Sequence, residues 1–479
     1  MPHSTSFSGP DLCRLAAFEV VDMLQKRKVS PQELLDAAFS RIAEVEPAIN
    51  AMPTLCRDRA ETAARAISPN TGNPGDLAGL PIGIKDLTPV AGVRTTFGTI
   101  GYKDFVPSAS DPLVERLEEN GGIVVGKTNT PENGAGGNTF NEVFGRTRNP
   151  WDTRMNAAGS SGGAAASLAS GEVWLSHGSD HGGSLRTPAA YCGVVGLRPS
   201  PGRAGGGHEF NGFMGEGVDG PMARSVRDCA LFLDAMTGYE PRFPISYPAP
   251  DQPFQKAVIE ARSNVRIAYS PELGGFSPVT PEMDTCLRAA LAQVEKSGGT
   301  VEEACPDLPD LERTYHVIRA TGFLTGAIRT PEAISKHYKQ TIRQNTDFAK
   351  SLTIEDVAKA NIGRSILYNN MQKFLTKFDV LACPTVGLFA QPCEIEWITE
   401  INGQKLDFYM DWLRFAFLAT TTSLPAISVP VGLNAEGMPV GLQLIGPPRG
   451  EAKLLAVARA VEMAVGGPLG PINPNVRHL

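Results

Sequence analysis

The sequence predicts an α/β protein, and three observations predict it. An amphipathic helical layer comes first, a strand–helix–strand pattern is legible between residues 265 and 303, and buried-type strand runs return near the C-terminus. Residues 1–70 form the helical layer. Within it Ser30-Pro31-Gln32-Glu33 is a helix start: Ser30 is the N-cap, proline takes the first position, where its missing N–H is no loss, and Glu33 closes a capping box. Leu34, Leu35, Ala38, Ile42 and Val45 then recur at helical spacing and make one apolar face. A Pro/Gly-rich stretch from Asn70 to Gly83 ends this layer. Beyond Leu80, short β-type runs such as Ile123-Val124-Val125 and Glu172-Val173-Trp174-Leu175 alternate with glycine-rich loops. Val265 to Tyr269 reads as a strand. Leu287, Ala290, Leu291 and Val294 line one face of a helix that Gly298-Gly299 stops, and Thr300 to Glu303 is the next strand. That βαβ unit implies a parallel pair in a sheet covered by helices. Residues 306–375 read as helix-rich and carry no motif. Asp379 to Ala382, Ala426 to Val431 and Val440 to Ile445 read as buried strands. The closing helix, from Glu451, places Leu454, Val457, Ala458, Val461 and Val465 on one side. Strands of one pattern at both ends favour one domain over residues 1–479, with a core at 71–235 and the remaining sheet, helices and pocket elements at 236–479.

Composition narrows the class. Of 479 residues, 42% are hydrophobic and 20% charged, enough apolar material for a large core. A net charge of −7, with no basic run, offers no footprint for nucleic acid or anionic membranes. The eight cysteines are scattered, without C-x-x-C pairs or zinc-finger spacing, and read as reduced thiols of a cytoplasmic protein. The N-terminal segment lacks the pattern of a signal peptide, and no 18-residue apolar run predicts a membrane span.

The informative residues are Ala158-Gly159-Ser160-Ser161-Gly162-Gly163 and, further on, Asp180-His181-Gly182-Gly183-Ser184-Leu185-Arg186. Glycine at this density lets the backbone approach a ligand closely and aim successive N–H groups at one point, which is how an oxyanion hole is built. A serine ending such a turn is placed to be a nucleophile, but serine needs a neighbouring base. None of the seven histidines sits in a G-x-S-x-G elbow. A different base is on offer: Gly79-Leu80-Pro81-Ile82-Gly83-Ile84-Lys85-Asp86 sets a lysine in an apolar run, where burial would lower its pKa. Read alone, Lys85 would be an exposed strand end beside Asp86.

Together these segments resemble the amidase signature family, and the match to free-standing bacterial amidases is carried by Gly196-Leu197-Arg198-Pro199-Ser200-Pro201-Gly202-Arg203. The lysine motif, the GSSGG core at 159–163 and the D-x-G-G-S-x-R core at 180–186 occur in the family's order. Ser184 follows Ser160 by 24 residues, the family's interval. Gly126 to Glu132, Arg148 to Asp152, Gly220 to Arg224 and Leu424 to Gly432 are similar to family segments too, so the resemblance covers nearly all of the chain. It implies one α/β/α domain with a large mixed twisted sheet between helices. It also implies a Ser-cisSer-Lys triad of nucleophile Ser184, bridging Ser160 and base Lys85, with an oxyanion hole from the backbone N–H groups of His181, Gly182, Gly183 and Ser184. Ser161 is a supporting hydrogen-bond donor, and Asp180 and Arg186 form an ion pair that fixes the loop. No metal or cofactor is required; the partners are a small-molecule amide and water, and a homodimer stays open. Two departures stand out: Asn156-Ala157-Ala158-Gly159 replaces a Pro-Gly-Gly type approach, and His181 occupies a position usually small or β-branched, so its side chain is a candidate substrate contact. His177 reads as a packed core histidine, and Gly205-Gly206-Gly207-His208 as a surface loop.

Substrate is less legible. Residues 134–140, 310–345 and 384–417 are the expected pocket stretches. Phe140, Phe144, Phe323, Trp397, Phe408, Tyr409, Trp412 and Phe415 lie in or near them and suit either a neutral apolar or aromatic amide or a plain core. The alternatives are a carbamate, lactam or ester hydrolase with the same triad, the glutamine-amidase subunit of a tRNA-dependent amidotransferase, and an idle binding protein on this scaffold.

Overall fold

The computed structural model describes residues 6–67, 72–205 and 211–478. The helix predicted from Ser30 runs over Pro31–Ile49, with the capping box formed. Glu33 N–H donates to Ser30 Oγ at 3.3 Å, and Ser30 N–H donates back to the Glu33 carboxylate at 2.8 Å. Leu34, Leu35, Ala38, Ile42 and Val45 are all buried, so the apolar stripe is the packed face. One interruption was not foreseen: Thr54–Leu55 leaves the helical layer to pair antiparallel with Ile123–Thr128 as an edge strand.

Eleven strands make one mixed sheet. Its order is Thr54–Leu55, Ile123–Thr128, Pro81–Lys85, Leu175–Asp180, Val218–Ala223, Val195–Arg198, Ala426–Leu433, Pro439–Ile445, Val380–Pro384, Arg266–Tyr269 and Thr300–Glu303. Pro81–Lys85 runs parallel to both of its neighbours, and so does Arg266–Tyr269. The strands between them pair antiparallel. The predicted βαβ unit is therefore present, with helix Pro281–Lys296 as its crossover. Both faces are covered. Ile123 and Val125 belong to one buried apolar cluster and Val124 to the other, as alternation along a strand buried on both sides requires. Gly162–Ala169 packs on Leu175–Asp180, Val226–Met236 on Val218–Ala223, and Glu451–Ala464 on Ala426–Leu433.

One strand differs from its sequence reading. Glu172-Val173-Trp174 is buried but precedes the ladder, and the strand itself is Leu175–Asp180, with the sequence Leu-Ser-His-Gly-Ser-Asp. A run this polar reads as a loop until its partners are known. Here the polar groups meet other polar groups across the sheet. The 306–375 region is helical, over Leu311–Arg329, Glu332–Ser335, Gln340–Ser351 and Ile354–Phe374. All eight cysteines are free thiols. Among the described residues no helix is long and apolar enough to cross a membrane. Gly206, Gly207 and His208 of the expected surface loop lie outside the described residues, as does Asn70 at the start of the Pro/Gly-rich stretch.

Removing the Ser30 cap leaves an orphaned helix N–H, so Ser30→Ala is expected to lower unfolding free energy by ~1 kcal/mol in urea titration, with an unchanged m-value.

Candidate functional site

Strand Pro81–Lys85, third in the sheet, ends at Lys85, whose side chain is fully buried. Its ammonium nitrogen lies 2.7 Å from Ser160 Oγ, 2.8 Å from Ser161 Oγ and 3.0 Å from Ser179 Oγ. Burial lowers the Lys85 pKa to about 7, against the pull of the Asp219 and Asp180 carboxylates. His177 accepts the Lys85 backbone N–H at Nδ1 (3.4 Å) and turns Nε2 to Asp219 at 3.0 Å, a packed core histidine with both nitrogens used. Asp86 faces away and meets Lys127 at 3.4 Å and the Thr96 hydroxyl and N–H.

Ser160 and Ser161 occupy the turn between strand Asp152–Asn156 and helix Gly162–Ala169, and the Gly159–Ser160 peptide bond is cis. The unusual approach segment is built from side-chain hydrogen bonds. Asn156 Oδ1 accepts the Ala158 N–H at 3.0 Å, and the Thr139 hydroxyl donates to Ala158 O at 2.8 Å. Ala158 itself has φ 55, a left-handed conformation that glycine adopts without strain.

The second loop wraps around Asp180. Its Oδ1 accepts the Gly183 N–H at 3.0 Å and its Oδ2 the Leu185 N–H at 3.1 Å. Arg186 binds both oxygens (2.9 and 3.0 Å), and Arg198 reaches Oδ1 at 3.3 Å. Burial opposes the charge, but the two guanidiniums outweigh it and hold the carboxyl well below the usual range. Leu185 anchors the turn. Gly178, Gly220 and Gly196, on three adjacent strands, all face it: a Cβ on Gly196 would sit 2.1 Å from Leu185 O, and one on Gly178 or Gly220 2.7 Å from its side chain. Ser184 is thereby set at the start of helix Arg186–Cys192, half-buried, and its carbonyl accepts the Ser161 N–H at 3.2 Å. The Ser184 hydroxyl makes no hydrogen bond among the described residues.

Beside this loop opens a cavity of about 440 Å³. Its lining includes Tyr102, Asn133, His181, Met214, Phe323 and Tyr338. Its wall at Asn133 adjoins Gly134, on which a Cβ would lie 3.4 Å from Ser160 Oγ.

A family model described as Amidase matches residues 33–455. The chain belongs to the amidase signature family. An acylamidase of Rhodococcus erythropolis is 34% identical over 454 residues, spanning 94% of this chain and 95% of that protein. A glutamyl-tRNA(Gln) amidotransferase subunit of Moorella thermoacetica is 33% identical over 487 residues, spanning 95% and 97%. Among solved structures, a bacterial aryl acylamidase of the amidase signature family superposes with a TM-score of 0.87 at 26% identity, over 94% of this chain and 96% of that one. A substrate complex of 6-aminohexanoate cyclic dimer hydrolase gives 0.85 at 28% identity, over 95% and 98%. The protein is an amide-hydrolysing enzyme with the amidase signature fold.

In this amidase Lys85, Ser160 and Ser161 meet directly, Ser184 joins them through its backbone, and Asp180 pairs with Arg186. Of the four N–H groups read as an oxyanion hole, that of Gly183 is already committed to Asp180. Sequence reasoning missed Ser179, in a run that reads as a loop, and Arg198, neither of which carried a local signal. Of the eight aromatics considered, Phe323 lines the cavity; Phe415 and Trp412 are core, and Phe408 borders a separate hollow with His316.

Truncating Arg186 strands part of a buried carboxylate's charge, so Arg186→Met is expected to lower stability by roughly 3–5 kcal/mol in chemical denaturation.

Proposed function

We propose that this amidase hydrolyses a small neutral amide with an apolar or aromatic part, through Ser184, Ser160 and Lys85 and an acyl-enzyme. The observation that carries the reading is the buried Lys85 amine, with a pKa of about 7, 2.7 Å from Ser160 Oγ. Neutral Lys85 takes the Ser160 proton while Ser160 takes that of Ser184. The freed Ser184 Oγ bonds to the carbonyl carbon, and the carbonyl π pair moves onto oxygen. The backbone N–H groups of His181, Gly182 and Ser184, with no protein acceptor among the described residues, stabilise that oxyanion; one such donor is typically worth ~3 kcal/mol. The oxyanion collapses, the carbon–nitrogen bond breaks, and Ser160 hands its proton to the departing amine while Lys85 returns one to Ser160. Water then adds to the acyl-enzyme by the same relay, releasing the acid and restoring Ser184. Apo hydroxyls often align only once substrate is present, so rotation of the Ser184 hydroxyl toward Ser160 is part of this scheme.

Phe323, Met214, Ile342 and the rings of Tyr102 and Tyr338 around the cavity support an apolar or aromatic substrate part. The similarity to an acylamidase and to an aryl acylamidase agrees with that choice. Comparable identity to the Moorella amidotransferase protein favours, as a second reading, glutamine hydrolysis within a complex.

Amine or ammonia release from an aryl anilide, a primary aliphatic amide, glutamine and an aryl carbamate, with phenol release from an aryl ester, tests the reading. Anilide or amide turnover by the purified chain is expected, falling at least ~10³-fold in Ser184→Ala. Turnover of glutamine alone, and only with a co-purified partner, would favour the second reading; carbamate or ester turnover alone would correct the bond. Because Lys85 acts unprotonated, kcat/KM is expected to fall as pH drops through about 7 and to level off above it. A flat profile from pH 5.5 to 9 would remove Lys85 as the base.

A further inference from the structure

His181 sits where the backbone turns from strand Leu175–Asp180 into the Ser184 loop, and its own N–H is one of the proposed oxyanion donors. Its ring is held from several sides. Arg319 Nη1 lies 3.2 Å from His181 Nδ1. A guanidinium has donors only, so Nδ1 is the acceptor and the neutral ring carries its proton on Nε2. Burial, together with the Arg319 and Arg198 charges, keeps the imidazole neutral by moving its pKa well below the ordinary value. Arg319 is itself fixed: Nη2 donates to Tyr409 Oη at 2.8 Å, Asn345 donates to the same oxygen at 2.8 Å, and the guanidinium lies 4.6 Å over the Phe323 ring. The Thr420 hydroxyl holds the His181 carbonyl at 2.7 Å.

Among the described residues Arg319 Nε and Tyr315 Oη have no hydrogen-bond partner, and neither has the buried His181 Nε2. It lies beside Gly322 and Met214, both cavity-lining residues; a Cβ on Gly322 would come within 4.0 Å of Nε2 and 3.1 Å of the Met214 sulfur. Buried donors without partners are rare in folded proteins and call for a ligand or another explanation. Met214, unbranched and flexible, is the side chain a bound group would turn aside.

We propose that His181 is a specificity-determining residue whose Nε2–H donates to a second carbonyl oxygen of the substrate, and that Arg319 is the positioning residue that fixes this tautomer. The preferred substrates are then neutral amides carrying another amide or ketone carbonyl a few atoms from the bond that breaks. This rests on the proposed site of hydrolysis at Ser184. A site built around a donor discriminates strongly against an analogue that lacks the acceptor, because the donor is left unpaired.

Two substrate pairs of matched shape test it: the 4-nitroanilides of N-acetyl-β-alanine and hexanoic acid, and the N-(3-oxobutyl) and N-(3-methylbutyl) amides of benzoic acid. At least one pair is expected to show a preference of 10-fold or more in kcat/KM for the carbonyl-bearing member. The ratio is expected to collapse towards 1 in His181→Leu and to recover in part in His181→Gln, which restores a donor. Long-range ¹⁵N–¹H spectra of the folded protein should show His181 as the Nε2–H tautomer, with the proton shared between both nitrogens in Arg319→Met. No preference in either pair, a ratio unchanged in His181→Leu, or an Nδ1–H ring in the wild-type protein would overturn the proposal. Turnover surviving in Ser184→Ala would instead overturn the nucleophile assignment, while the His181 ratio and the tautomer are still read separately.

Discussion

Four donors converge on the Asp180 carboxylate in the middle of the protein: two backbone N–H groups of the loop that follows it and two guanidiniums. An ionised carboxylate at that depth is untenable without such company. Once satisfied, it becomes a template. The chain from His181 to Leu185 can only wrap around it, and that wrapping fixes where Ser184 stands and which N–H groups remain available beside it. Gly183 N–H, donated to Asp180, is part of that frame.

The same arrangement bears on Lys85. A carboxylate with charge to spare would hold a nearby amine protonated. Asp180 gives its charge to Arg186 and Arg198, Asp219 faces His177, and Asp86 is turned toward Lys127. Lys85 is left with three serine hydroxyls and, at 3.4 Å, the Ser179 carbonyl, and burial then decides the outcome. A usable base at neutral pH thus follows from how the surrounding charges are paired.

What the sequence reveals follows from whether a constraint is local. The Ser30 capping box, the stripe on Pro31–Ile49 and the βαβ unit at 265–303 are local patterns, and they appear where they were read. The serine and lysine motifs were legible because their spacing and glycine content serve one compact site. The strand Leu175–Asp180 was not, since Ser176, His177 and Ser179 look like loop residues until Lys85 and Asp219 are set across from them. Arg198, Arg319 and Tyr409 were silent for the same reason: each acts through a partner 18 or more positions away. The aromatic candidates divided between cavity and core because hydrophobicity alone carries no direction.

This separation reflects how the fold divides its labour. Lys85 ends a strand of the large sheet and Ser184 follows the strand beside it, while glycines on Leu175–Asp180, Val218–Ala223 and Val195–Arg198 make the hollow that seats Leu185. Such close backbone approach tolerates little change at the floor of the site. Much of the cavity wall comes instead from helix Leu311–Arg329, whose Arg319 is held in turn by Tyr409. Changing those side chains alters what the cavity admits without moving Lys85 or Ser184. His181 belongs to both parts, its backbone in the loop that carries Ser184 and its ring against Arg319, and so it is where a change of wall reaches that loop directly.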